Sequence, residues 1–258
     1  MNEYELKEVV RLEDGHWWYV ERRKLLSQML RGLPPGVALD VGAAGGGNTR
    51  VLVRNGWSAV CVEYTLSAAR MAADRGLAVL QADARSLPVA DTSVALVVAF
   101  DVLEHIVEDG SAVDEIYRAL QPGGSLLVTV PADPTLWSDH DCAVGHVRRY
   151  RRDELLSLLT DAGFEVLYCK SWMVLLSPLV RVKRRRSTGS DLGEVHAVVN
   201  RLLRWVVAVE RLLPLGGLPG VSLRAHARRP LDADTSPRYA SPPAPGTVTV
   251  TARLVGGR

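Results

Sequence analysis

Apolar and polar positions along this chain repeat with two periods. Residues 4–12 and 17–31 carry apolar side chains at helical spacing, which predicts two amphipathic helices separated by a turn or cap at Glu13-Asp14-Gly15-His16. Leu33-Pro34-Pro35-Gly36 breaks that period. Val37-Ala38-Leu39-Asp40-Val41 is then a short apolar run ending at Gly42, the pattern of a strand buried on both faces. The alternation repeats. Helices are predicted over 47–55, 66–75 and 110–120, and strands over 58–62, 77–81 and 93–100. The turn Gln121-Pro122-Gly123-Gly124 leads into a strand over 125–130. Strands and helices alternating at this spacing predict an α/β fold, a doubly wound and mostly parallel sheet with helices on both faces.

Beyond Pro131 the pattern changes. Residues 131–151 are polar, aromatic and basic and read as a loop over the sheet edge. A helix over 152–162 is closed by Gly163 at its C′ position. Strands are predicted over 164–171 and 220–229. Between them, 172–216 carries two apolar helical stretches, Trp172 to Leu176 and Leu202 to Val209, around the basic residues Arg181, Lys183, Arg184, Arg185 and Arg186. The chain thus divides into an N-terminal helical lid (1–34), a core (35–171), a helical insertion (172–219), a final strand (220–230) and a Pro-rich tail (231–258). The tail reads as mobile, although Thr247 to Leu254 alternates and can add an edge strand.

Composition narrows the classes. A net charge of +2 gives no overall pull toward nucleic acid, so no nucleic-acid partner is expected. Cys61, Cys142 and Cys169 are far apart and form no CxxC pair, which argues against a zinc or disulfide framework. The N-terminus has no apolar leader, and no apolar stretch reaches membrane-spanning length. A cytoplasmic protein is the expectation.

The chemistry gathers at predicted strand ends. Small residues in Gly42-Ala43-Ala44-Gly45-Gly46-Gly47 let the backbone approach a ligand at the carboxyl end of a strand, where open α/β sheets bind ligands. Glu63, after the second strand, can accept from both hydroxyls of a ribose; Tyr64 follows it. Asp83, with Ala84 beside it, can accept from an adenine amino group.

With these residues the chain resembles the class I S-adenosylmethionine (SAM) methyltransferases of the type 11 and type 23 group, over roughly residues 35–170. The first motif of that group, an acid followed by GxGxG, stands as Asp40, Gly42, Ala44 and Gly46, with Ala44 in place of the middle glycine. The resemblance implies SAM as cofactor and S-adenosyl-L-homocysteine as product. It places Glu63 on the ribose, Asp83 near the adenine, and Asp101 and Val102 after the fourth strand. It also implies a Rossmann-like sheet of seven strands with an antiparallel strand at its edge. Two other readings stand beside it. The loop also fits G-x-A-x-x-G of nicotinamide-dependent oxidoreductases, and SAM can be bound without catalysis.

Candidates for the acceptor side lie outside the glycine turn. His105, His140 and His146 are potential bases, and His140 is flanked by Asp139 and Asp141. His16, Trp17, Trp18 and Arg22 can form a lid, and Trp137 and Tyr150 can line an acceptor pocket. The spacing of His140 and His146 is too loose for a metal motif, so no metal is expected. The acceptor is expected to be a small or lipid-like molecule, methylated at oxygen. Apolar helices beside basic residues can touch a membrane surface. The same stretch also reads as a packed insertion or a homodimer face.

Overall fold

The computed structural model describes residues 3–184 and 195–231. Two helices, α1 (Glu3–Leu12) and α2 (Trp17–Met29), precede β1 (Val37–Val41). The alternating core follows as α3 (Gly47–Arg54), β2 (Ser58–Glu63), α4 (Leu66–Ala73), β3 (Val79–Gln81), β4 (Val94–Phe100), α5 (Asp109–Ala119) and β5 (Leu120–Pro131). Then come α6 (Asp139–Val144), α7 (Arg152–Asp161), β6 (Glu165–Trp172), α8 (Ser177–Arg184), α9 (Ala197–Glu210) and β7 (Ser222–Arg228).

The seven strands form one sheet in the order β3-β2-β1-β4-β5-β7-β6. Strand β7 runs antiparallel to both β5 and β6, so it lies one place in from the edge. Along β4 the side chains divide between two cores. Val97 and Ala99 join Ala112, Val113 and Ile116 of α5 and Leu155 and Leu159 of α7. Leu96, Val98 and Phe100 join Leu25, Leu26 and Met29 of α2 and Val51 and Leu52 of α3. A strand buried on both faces needs apolar residues at every position, which is why β4 reads as an unbroken run.

Three segments differ from the sequence expectations. The stretch 131–151 is not all loop: it holds a 3-10 turn at Pro134–Leu136 and the helix α6. Ser138 starts α6 with a capping box, its side chain and that of Asp141 satisfying each other's backbone ends. Apolar Trp172 to Leu176 is not helical, because β6 runs through Trp172 and Met173 then turns at φ +58°. The 121–124 turn lies within β5, as an irregularity in its register with β4. Arg185, Arg186 and the 247–254 alternation fall outside the described residues.

Helices α2 and α9 meet on one side of the sheet. Buried Glu21 of α2 is ion-paired with Lys24 at 2.8 Å and with Arg211, just past α9. The Asn200 side chain of α9 accepts from Trp17 N–H at 2.7 Å and donates to the Gly15 carbonyl at 3.0 Å. Glu13, 4% exposed, is ion-paired with Arg50 and Arg75, which pins the α1–α2 corner to the glycine turn.

Leu96 has no exposure and faces α2 and α3. Leu96→Ala should lower unfolding stability by about 2–5 kcal/mol, read as the denaturant midpoint. An unchanged midpoint would contradict this packing.

Candidate active site

Strand order reverses between β1 and β4, so the chains leaving them diverge and open a crevice at their carboxyl ends. The glycine turn forms one wall. Gly42 has φ +68°, and a Cβ there would lie 2.5 Å from Val102 Cγ2. Only glycine leaves that space open for a ligand. Ala44 also stands in the left-handed region, at φ +50°. An alanine there carries strain of about 1–3 kcal/mol that a glycine would avoid. The third wall residue with positive φ is Asp101, at +58°.

A cavity of about 620 Å³ occupies the crevice, lined among others by Gly42, Ala44, Glu63, Tyr64, Asp83, Ala84, Asp101 and Val102. Glu63 is 7% exposed and accepts a hydrogen bond from Ala44 N–H. Burial pushes its pKa up to about 8, against the effect of that bond. Asp83 is ion-paired with Arg85 at 2.7 Å, and that pairing holds its pKa below the usual range. Asp101 accepts from Arg22 at 2.6 Å and from the Thr129 hydroxyl at 3.0 Å. Arg22 reaches it from α2, so the lid helix is fastened to the end of β4 by charge.

Three residues of the predicted cofactor group support the turn without lining the cavity. Asp40, 1% exposed, lies beneath it and accepts from the Thr49 hydroxyl at 2.6 Å. Burial raises its pKa to about 6. Ala43 packs against Cys61 and Ala72, and Gly46 is the N-cap of α3 at φ +79°.

A second cavity of about 510 Å³ adjoins the first, and the two share Gly42, Ala44, Asp101 and His105. Its walls include Trp17, Trp18, Phe100, Met173, Leu176, Leu203 and Val221, with His16, Arg22, His140, His146 and Arg149 as polar members. The predicted lid residues are therefore in the wall, and Trp18 meets Trp172 at a tilt of 43° with ring centroids 5.4 Å apart. His105, His140 and His146 all reach this cavity. Burial, then neighbouring His146, lowers the His105 pKa to about 4. Trp137 and Tyr150 line neither cavity. Trp137 is 43% exposed, and Tyr150 is buried with its hydroxyl donating to Asp109 at 2.7 Å. Sequence reasoning missed Glu104, Arg149 and the α8 contribution: Glu104 reaches the cavity from the turn after β4, Arg149 from the segment between α6 and α7, and α8 through the path of the insertion.

A reversed strand order, a glycine turn, an acid after β2 and an antiparallel β7 together define a class I methyltransferase fold. Residues 39–128 match the family described as a methyltransferase domain. The chain is 29% identical over 163 residues to a probable S-adenosylmethionine-dependent methyltransferase of Mycobacterium tuberculosis (strain ATCC 25618 / H37Rv), covering 61% of this chain and 60% of that protein. It is 31% identical over 145 residues to the uncharacterized protein YafE of Escherichia coli (strain K12), covering 53% and 69%. A solved geranyl diphosphate methyltransferase, in complex with GPP and sinefungin, shares the fold at a TM-score of 0.59 and 16% identity, over 82% of this chain and 77% of that one. The chain belongs to the class I SAM-dependent methyltransferases, and SAM is the cofactor of that family. It spans 60% of the length of its Mycobacterium tuberculosis relatives.

The residues present fit that cofactor. The Gly42 turn leaves room for it, the Glu63 carboxylate suits a ribose diol, and Arg22 and Asp101 offer opposite charges to an amino-acid end. Free Glu63 is largely protonated near neutral pH, yet it must ionise to accept from two hydroxyls. Binding of S-adenosylhomocysteine should therefore release close to about one proton near neutral pH, and should tighten as pH rises toward about 8 and then level off. Calorimetry in buffers of different ionisation enthalpy reads the proton. Glu63→Gln should abolish the release and cost on the order of 1.5–3 kcal/mol of affinity. Release that persists in the variant would remove Glu63 from the site.

Proposed function

We propose that this protein transfers the methyl group of SAM to an oxygen of an apolar small-molecule or lipid-linked acceptor. One observation carries the reading. A polar, acid-bearing cavity at the glycine turn opens into a second cavity walled mainly by aromatic and aliphatic side chains. SAM supplies an electrophilic methyl group on a sulfonium. The protein must hold a nucleophile beside it, keep water out and accept a proton. The aromatic lid and the α8–α9 insertion exclude water. His140, which lines the second cavity, takes the acceptor proton in this reading. The antiparallel β7 argues against the nicotinamide reading, since dinucleotide-binding sheets of this kind end in parallel strands.

The test is turnover of isotope-labelled SAM against hydroxylated acceptors of graded apolar length. Transfer should favour the longer, more apolar members. His140→Ala should slow turnover by about 10²–10⁴-fold with S-adenosylhomocysteine affinity near normal. Binding of SAM without transfer to any acceptor would favour a non-catalytic SAM-binding protein.

Helices α8 and α9 also present apolar residues to solvent, among them Leu179, Val182, Leu202 and Trp205, beside exposed Lys183 and Arg201. We propose that this face docks on an anionic lipid surface, its cations matching the headgroups and its apolar residues the acyl boundary. Among the described residues, no helix is long and apolar enough to cross a membrane. The protein should float with vesicles containing phosphatidylserine, and Trp205→Ser should reduce that binding. A dimer in light scattering, with no vesicle binding, would assign the face to a second copy instead.

A further inference from the structure

The turn after β4 holds a carboxylate that nothing described so far uses. Glu104 has 0% exposure, and neither of its carboxylate oxygens has a hydrogen-bond partner among the described residues. Burying an ionised carboxylate without a counter-charge is among the costliest arrangements in a folded protein. The neighbouring acids each have a cation: Asp101 has Arg22, and Asp141 has Arg149 at 2.8 Å. Among the described residues, no arginine or lysine is ion-paired with Glu104.

Two imidazoles stand beside it. One ligating atom from each of Glu104, His105 and His146 lies within 4.8 Å of one from each of the others. The two rings meet edge to face with centroids 4.8 Å apart, and His146 Nε2 is 3.7 Å from Glu104 Oε1. Both outer nitrogens are engaged. His105 Nδ1 is 3.0 Å from the Gly145 carbonyl oxygen, which can only accept, so Nδ1 carries the proton and Nε2 the lone pair. His146 Nδ1 is 2.8 Å from Asp141 Oδ1, which sets the same tautomer. A ring held on its far nitrogen by a carbonyl or carboxylate is the usual setting of a metal-ligating histidine.

We propose that Glu104, His105 and His146 bind a divalent first-row transition cation through one carboxylate and two Nε2 atoms. Two imidazoles with a carboxylate suit zinc, cobalt or manganese better than calcium. All three residues line the apolar cavity, and His105 also lines the cofactor cavity. Three protein ligands leave coordination positions open, and these face the space assigned to the acceptor. An acceptor hydroxyl bound there would have its pKa lowered beside the transferable methyl group. That role rests on the methyltransferase reading; cation binding itself does not. The spacing of His140 and His146 conceals the set, because His146 joins His105 from another segment and His140 is not a member.

The untagged 258-residue chain, stripped by chelation, is titrated with Co²⁺ alone. Visible d–d absorption should appear and saturate near about one equivalent, and Zn²⁺ should erase it. Glu104→Gln, His105→Gln and His146→Gln should each weaken Co²⁺ binding by at least about tenfold, with thermal melting showing that the variant is folded. His105 is less buried than Glu104 and its ring hydrogen-bonds to a backbone carbonyl, so its variant serves where the buried Glu104→Gln fails to fold. Absence of the absorption in the parent chain would overturn the proposal, as would undiminished binding in the folded variants. Parallel titration with S-adenosylhomocysteine separates the two readings: its failure strikes the methyltransferase assignment and leaves the cation result standing.

Discussion

Adjacent strands β1 and β4 run parallel, but the chain leaves them in opposite directions across the sheet. Helices therefore cannot close over their shared carboxyl end, and a crevice opens there. Both exits are made by residues in the left-handed region, Gly42 at +68° and Asp101 at +58°. These turns aim the Gly42 backbone and the Asp101 carboxylate into the same space. Everything assigned to the site is placed relative to that pair. Glu63 comes in from β2, Arg22 from the lid, and the Glu104–His105 turn follows directly from Asp101.

The cost of this arrangement is concentrated in carboxylates. Asp40, Glu63 and Glu104 are all buried near one another's chain segments, and burial raises the pKa of each. Asp101 escapes that isolation because Arg22 crosses from α2 to meet it. Burying an acid is costly, and the Thr49 hydroxyl and the Ala44 N–H offset part of that cost for Asp40 and Glu63. The glycine turn shows the same economy in its backbone, since Ala44 holds a conformation that glycine would adopt freely.

Most of the core was legible because its signals are local. β1, β2 and β4 are apolar at nearly every position, and their boundaries fall within a residue or two of the expected ones. The antiparallel pair of β6 and β7 was foreseeable only through family resemblance, since nothing in either strand's own pattern specifies direction. The cofactor wall was read from Gly42, Glu63, Asp83 and Asp101, which sit at strand ends. Asp40 and Gly46 belong to the same motif yet work beneath the turn, a distinction that periodicity does not carry. The acceptor wall was harder. Tyr150 looked like a pocket residue but is spent on Asp109, while Met173 and Leu176 enter from an insertion whose path depends on Met173 turning at φ +58°. Ser138 and Asp141 could have announced α6 through their capping-box spacing.

The Asn200 clasp has a consequence for how the molecule comes together. Its two hydrogen bonds join residues 183 and 185 positions apart. Contacts that distant gain nothing until the intervening chain is ordered, so they suit a late step in assembly. The parallel strands β1 to β5 and the glycine turn depend on much shorter-range pairings and can form beforehand. The roof over the second cavity is then a separable layer laid across a finished glycine-turn floor. Substitutions in that roof can therefore reshape the second cavity while the Gly42 turn and Glu63 beneath it stay in place.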